Sequence, residues 1–347
     1  MIIITKKKKS IEINNFRGVR LIDNEIKAIE EIEALISKRI SVVDDIEVGT
    51  NNIHIEGDHI IEMRLAGNRL TALPESLFTL MKLQILDVQN NHITDLPESI
   101  GNLKSLKVLN LYRNNLTNLP ESIGNLESLE SLFIEENKLS SLPESVGKLK
   151  SLQLLFLQDN ELSMLPESIG DLKSLREIYL EGNKLTTLPE SIGRLKSLLS
   201  IKLHGNPIKS FPESMWNLES LMGLDLSDMH LKSLPESIGN FTSLQMLDLQ
   251  GNELSSLPES INNLKKLRGL NLSNNNFENL PESIGSFELL IVLRLYDNKL
   301  RSLPKSIVNL TLEQLDLSKN KLTALPVLIK KWIKDLKNKG CKIRMDN

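Results

Sequence analysis

The tetrapeptide Leu-Pro-Glu-Ser, or a close variant, returns along this chain every 23 residues. Prolines stand at 74, 97, 120, 143, 166, 189, 212, 235, 258, 281 and 304. The last, Pro326, follows after 22 because the Val308–Leu312 stretch is one residue short. A fixed period in the twenties predicts a solenoid, in which each unit buries its apolar residues against its neighbours rather than in one central core.

One unit, Leu106 to Ser128, contains the logic of all twelve. Leu109 and Leu111 alternate with Val108, Asn110 and Tyr112, a period-2 strand with its leucines pointing in and the others, with Arg113, pointing out. Stacked in register, such strands form a parallel sheet with a spacing of about 4.8 Å. An asparagine closes the strand at 68, 91, 114, 137, 160, 183, 206, 252, 275, 298 and 320. Its amide offers donors and an acceptor, so it can bridge the backbone of two buried turns, and losing one such bond costs about 1–3 kcal/mol. The eighth unit has Met229 at this place. That break predicts either a tolerated local gap or a point where the array flexes. In the other half, proline fixes φ and starts a turn. Ile123 and Leu126, three apart, face the core from a short helical or 3₁₀ segment. The strand side packs more tightly than the helical side, so the array curves with its sheet on the concave wall.

These residues carry a resemblance. L-x-x-L-x-L-x-x-N-x-L followed by x-x-L-P is similar to the leucine-rich repeat family across about 265 of the 347 residues. The Leu-Pro-x-x-Ile-Gly-x-Leu form resembles intracellular Ras-group repeat proteins and long bacterial and archaeal ones. The resemblance implies an α/β fold class: a curved horseshoe with a parallel sheet on the concave face, short helical or 3₁₀ turns on the convex face, and a cap at each end. It also implies a protein partner, often a signalling protein such as a small GTPase, and so a scaffold or adaptor.

Three regions follow. Residues 60–326 form the array. Residues 1–59 read as an α/β cap or small lead-in domain. Strands are expected at Ile2–Thr5, Ser10–Ile13 and Ile53–Ile55. A helix is expected from about Glu25 to Arg39, capped by Asp23 or Asn24, with Ile26, Ile29, Ile36 and Ile40 on one face. Residues 327–347 read as a helix with Leu328, Trp332 and Leu336 recurring every four residues and Ile329 and Ile333 beside them, stopped by Gly340, then a strand at Cys341–Met345. This last cap is basic, but a solvated polar helix face explains its lysines better than a nucleic-acid or lipid site. Net charge is −3, so no general attraction to nucleic acid is expected. A single cysteine, no signal-like start and no long apolar run predict a cytoplasmic protein without a membrane span.

Function must be written on the outward columns of the concave wall. Phe133, Phe156 and Tyr179 follow one another on successive strands, with Tyr112 at the corner, in a stripe roughly 15 Å long. Around it lie Glu135, Glu136, Asp159, Glu177 and Glu181, and from Glu121 to Glu190 there are 13 acidic and 6 basic residues. Exposed aromatic strips with an acidic rim suit a partner with a basic or mixed apolar surface. Alternatively, the aromatics only pack on each other along the sheet. Tyr112, Phe133, Glu135, Phe156, Gln158, Tyr179, Glu181 and Lys202 are therefore the candidate partner-binding residues. No cofactor, metal or catalytic residue is expected, and a small-molecule ligand is disfavoured. Asp225 and Asp248, opposite one another on neighbouring strands, are the alternative: paired carboxylates for acid–base work or a cation. A passive structural spacer is the third reading.

Overall fold

The computed structural model describes residues 13–43 and 51–346. Its main feature is a 15-stranded sheet, parallel apart from one hairpin, that runs the length of the molecule and lines the concave wall of a curved solenoid. The sheet begins with β3 (Ser41–Val42), β4 (Asn52–Glu56) and β5 (His59–Arg64); β4 and β5 are antiparallel. Eleven three-residue strands follow in register, from β6 (Ile85–Asp87) to β16 (Gln314–Asp316), and β17 (Lys342–Arg344) closes the sheet. The central leucine or isoleucine of each repeat strand is buried, and the outward residues are mostly half-buried. One continuous hydrophobic core connects every unit.

Three hydrogen-bond ladders hold the units at a fixed spacing. The asparagine ladder works as the sequence predicts. Asn137 Nδ2 donates to Leu111 O of the preceding unit and to Ile134 O of its own, while its Oδ1 accepts from Leu116 N. At Asn68, which has no equivalent unit before it, the side chain instead exchanges bonds with Asn51. Met229 is buried in its slot, and its own N–H donates to Asn252 Oδ1. Having no oxygen, it offers nothing to the Ile208 N–H, where an asparagine would supply an acceptor.

The second ladder gives the Glu of Leu-Pro-Glu-Ser its role. Each proline carbonyl accepts the N–H three residues on, closing a 3₁₀ turn such as Glu121–Asn125. The Glu opening that turn reaches forward one unit: Glu98 accepts from Ser122 N, Glu144 from Ser168 N, Glu167 from Ser191 N and Glu282 from Ser306 N. A third ladder follows the turns, where Ser105, Ser151, Ser174 and Ser197 donate to carbonyls one unit back. Inside the turns, Gly124 exists because there is no room for more. A Cβ there would lie 2.3 Å from Ser145 O.

The ends differ in detail from expectation. β1 (Ile13–Phe16) and β2 (Val19–Ile22) form a hairpin through Arg17 and Gly18, both at positive φ. Of the strand expected at Ser10–Ile13, Ile13 alone is among the described residues and opens β1, and the strand expected at Ile2–Thr5 lies outside them. Helix α1 spans Asp23–Ile36, so it starts before Glu25 and stops before Arg39, and no side chain caps it. The strand already turns at Ile22, and Ser37 at φ 53 ends the helix. Ile29, Ile32 and Ile36 are buried under it, and Glu25, 1% exposed, accepts from Ile60 N and contacts His59.

At the other end α2 spans Val327–Asn338, and Gly340 at φ 90 follows its C-cap, as the sequence predicts. Its core face is Ile329, Trp332, Ile333 and Leu336; Leu328, in the first turn, is 51% exposed. Trp332 Nε1 donates to Leu310 O at 2.9 Å. Leu310 closes the shortened unit and is extended there (ψ 138), unlike Leu126 at ψ 73. The cap residue thus satisfies a carbonyl that the missing residue would otherwise leave open.

Candidate functional site

On six of the twelve strands from β5 to β16, the last residue is Asp or Asn, and its side chain accepts the N–H two residues on. Asp87 bonds Gln89 N, Asn110 bonds Tyr112 N, Asp225 bonds Ser227 N, Asp248 bonds Gln250 N, Asn271 bonds Ser273 N and Asp316 bonds Ser318 N. This column is therefore not free to vary, as the sequence reading supposed; Asp87 and Asn271 are in fact buried. Arg64 and Arg294 lack the bond singly, and one run of four successive units gives it up. Strands β8 (Ser131–Phe133), β9 (Leu154–Phe156), β10 (Glu177–Tyr179) and β11 (Ser200–Lys202) end in Phe, Phe, Tyr and Lys.

The four side chains meet. Phe133 and Phe156 pack edge-to-face at 5.2 Å between centroids, and Phe156 and Tyr179 stack at 4.4 Å with their planes 7° apart. Lys202 Nζ lies 3.9 Å over the Tyr179 ring. The stripe is half-buried rather than fully exposed, because each ring covers its neighbour. Mutual packing and presentation to solvent thus coexist. Tyr179 donates to Glu177 at 2.6 Å, and burial with that bond pushes its hydroxyl up to about 12. Tyr112 is not in the stripe. It stands in the next column, donates to Glu136 at 2.7 Å and lies beneath Arg113, whose Nε also bonds Glu136. The Glu136 bond raises the Tyr112 hydroxyl, and Arg113 holds Glu136 below the usual carboxylate range.

Beside the stripe runs a groove of about 620 Å³, lined by Tyr112, Glu135, Glu136, Gln158, Asp159, Glu181, His204 and Asp225. Gly182 and Gly205 also line it. Both are at positive φ, in the left-handed turn before the ladder asparagine, and a Cβ on Gly182 would collide with Asp159 Oδ1. Neighbouring units carry Glu136, Asp159 and Asp228 at this phase. The sequence signal for the groove is thus a pair of consecutive glycines in a column of polar residues, missed together with His204, whereas Glu136 and Asp159 belong to the acidic rim that the sequence predicts.

Glu135, Gln158 and Glu181 stand side by side on the groove wall. One oxygen of each is shielded from solvent with no hydrogen-bond donor: Glu135 Oε2, Gln158 Oε1 and Glu181 Oε2. Burial, helped by the charges of Glu136 and Glu181, raises the Glu135 carboxyl to about 7 against the pull of its own backbone N–H. Burial also raises Glu181, which Lys202 at 3.6 Å partly offsets. All eight sequence-predicted residues therefore lie on one wall. Phe133, Phe156, Tyr179 and Lys202 form the stripe; Tyr112, Glu135, Gln158 and Glu181 form the groove.

Asp225 and Asp248 are register partners, as predicted. Their oxygens are engaged locally, however: Asp225 also accepts from Ser227 Oγ at 2.6 Å, and Asp248 from Asn271 Nδ2 at 3.1 Å. His204 Nδ1 lies 2.9 Å from Ser227 Oγ and 3.3 Å from Asp228. Because one nitrogen serves both contacts and the serine hydroxyl already lies on Asp225, this is not a relay in which histidine takes the serine proton. Among the described residues, no three His, Cys, Asp or Glu side chains are grouped to hold a metal. None of the described helices is long and apolar enough to cross a membrane.

The geometry defines a class: solenoids of short parallel strands and outer 3₁₀ turns whose concave sheet is left open. Family models place the chain more closely. A leucine-rich repeat region matches residues 59–134 and 98–182, and leucine-rich repeat models match 219–277 and 174–195. The chain belongs to the leucine-rich repeat family. No curated protein matched it. Among solved structures, an internalin from Listeria monocytogenes aligns over 94% of this chain and 90% of its own, at 19% identity and a TM-score of 0.71. The ectodomain of the membrane receptor kinase GASSHO1/SCHENGEN3 from Arabidopsis thaliana, solved with Casparian strip integrity factor 2, is 34% identical with a TM-score of 0.66. That alignment covers 78% of this chain but only 33% of the ectodomain. The Arabidopsis receptor kinase HAESA, solved with the peptide hormone IDA and the co-receptor SERK1, is 30% identical over 77% of this chain and 52% of its own, with a TM-score of 0.61.

Proposed function

We propose that this chain is a protein-binding scaffold that takes its partner on the concave face across units three to seven. The observation that carries this reading is the interruption of the Asp/Asn column. Four successive units replace a residue that caps the local backbone by Phe133, Phe156, Tyr179 and Lys202, and neither the core nor any ladder uses those side chains. A contiguous aromatic strip on an open sheet is what a binding hot spot requires. The structural relatives solved with a peptide hormone, an integrity factor and a co-receptor support protein recognition by this fold. Signalling by a small-GTPase type of partner and a cytoplasmic location belong to the same proposal, on the repeat's resemblance and the chain's single cysteine.

The test is quantitative capture of partners on immobilised protein, wild type against Phe133→Ala/Phe156→Ala/Tyr179→Ala. Removing three central rings should weaken capture by several orders of magnitude, at about 2–4 kcal/mol each, while circular dichroism shows the solenoid intact. Undiminished capture by the folded variant rules out this face.

A further inference from the structure

The concave wall beside the aromatic stripe is an unpartnered sheet face with a chemistry of its own. Five carboxylates line the groove, from Glu135, Glu136, Asp159, Glu181 and Asp225. Arg113 offsets only Glu136, and Lys202 only part of Glu181. On the same wall, the unpartnered oxygens of Glu135, Gln158 and Glu181 lie on three successive strands, about 4.8 Å apart by sheet spacing. Each is an acceptor shielded from water and without a donor, an unfavourable state; a turn of the terminal carboxyl or amide about its last torsion brings that oxygen to the groove and relieves it when a donor arrives. The groove therefore calls for a group that is positive, rich in hydrogens and flat enough to lie along an open wall. A guanidinium has five N–H donors in a planar fork, pairs with two acceptors at once and is weakly hydrated. Tyr112 at one end and the stripe alongside offer aromatic surface on which such a plane can rest.

We propose that this groove seats the guanidinium of an arginine presented by the protein partner, with Glu135, Gln158 and Glu181 as its acceptors. The assignment rests on the protein-binding reading above and gives its partner a chemistry: a segment carrying arginine beside apolar residues that meet Phe133, Phe156 and Tyr179. Binding selects the ionised groove. Glu135, facing Glu136, Glu181, Asp159, Tyr112 and Arg113, holds a proton near neutrality when the groove is empty, and the arriving cation displaces it.

The test uses small probes on the whole chain, so that it does not depend on finding the partner. N-acetyl-arginine amide is titrated and followed by amide shifts in two-dimensional NMR. N-acetyl-citrulline amide (same shape, no charge) and N-acetyl-lysine amide are the controls. The expected result is saturable shifts confined to the units from Tyr112 to Ser227 with the arginine probe, and none with citrulline. In Glu135→Gln/Glu181→Gln, which is isosteric and remains folded, affinity should fall on the order of tenfold. Wild-type affinity should rise several-fold between about pH 6 and about pH 8. No saturation by about 50 mM, equal citrulline binding, or an unchanged double variant overturns the site. Equal lysine binding overturns the guanidinium assignment. The two readings fail separately. If the arginine probe fails while capture still depends on the stripe, only the groove is lost. If the probe binds but capture is independent of the stripe, the partner reading is lost.

Discussion

Glu135 is the residue at which fold and function pull hardest against each other. Its carboxyl is held near 7 in the folded chain, against 4.5 for an ordinary glutamate, chiefly by burial. The sign follows from linkage: a raised carboxyl means that the folded state binds the proton more tightly than the unfolded one. Ionisation therefore costs nothing below about pH 4.5 and progressively more from there to pH 7, with the full penalty above. Glu135→Gln should leave the melting temperature unchanged at about pH 4 and raise it at about pH 8. Discounted for the open side of the groove, the gain is on the order of 1 kcal/mol, or about 2–4 °C. Equal shifts at both pH values would show that the carboxyl is not the source. Much of this scale was legible in the sequence. The aromatic stripe followed from counting positions in a fixed period, because a repeat makes every departure visible. The groove did not, because it depends on missing side chains: Gly182 and Gly205 look like ordinary turn glycines until the neighbouring units are seen to carry Glu136, Asp159 and Asp228 there.

At the scale of the element, the 3₁₀ turns decide how closely units approach. Five-residue turns such as Glu121–Asn125 pack turn on turn, with a serine carbonyl of the next unit pressed against the glycine. Gly124→Ala must push Ser145 away, and with it the Leu-Pro-Glu-Ser backbone on both sides. The expected loss is about 2–4 kcal/mol, read by chemical denaturation. Val146→Ala in the next turn removes only two methyls, so about 1–2.5 kcal/mol is expected. If Gly124→Ala proves the milder change, the turns are not in tight contact. The period revealed that these turns exist, and Pro, Ile and Leu revealed which way they face. It did not reveal why Glu recurs, because the Glu98–Ser122 bond spans 24 residues and is invisible within one unit. Similarly, α1 was legible from its isoleucines but misplaced at both ends, since nothing local marks Ile22 as the point where strand turns into helix.

Over the whole molecule, stability is a sum of unit and interface terms, so the weakest interface decides where the array opens. Two departures from the repeat coincide between units seven and eight. Trp216 fills the glycine place, wedged between Phe211 and Phe241 at 5.8 and 5.5 Å. Across the same interface Met229 interrupts the asparagine ladder, removing the donor that Leu203 O and Leu226 O would share and the acceptor for Ile208 N. At Asn206, one unit back, the equivalent bonds with Leu180 O, Leu203 O and Leu185 N are all made, at 2.8–3.0 Å. Hydrogen exchange should therefore find the lowest protection of the central units in residues 203–231, with higher protection on either side. Met229→Asn restores the missing amide and, at about 1 kcal/mol, should slow exchange there about fivefold while leaving units two to five unchanged. Uniform protection in the wild type would mean that Trp216 and its aromatic neighbours fully replace the ladder. Faster exchange in the variant would mean that the methionine packing outweighs the bonds it displaces. The interface adjoins Lys202 and His204, at the end of the proposed binding wall, so an opening here would change the curvature that a partner meets at one end of its footprint and leave the stripe itself rigid.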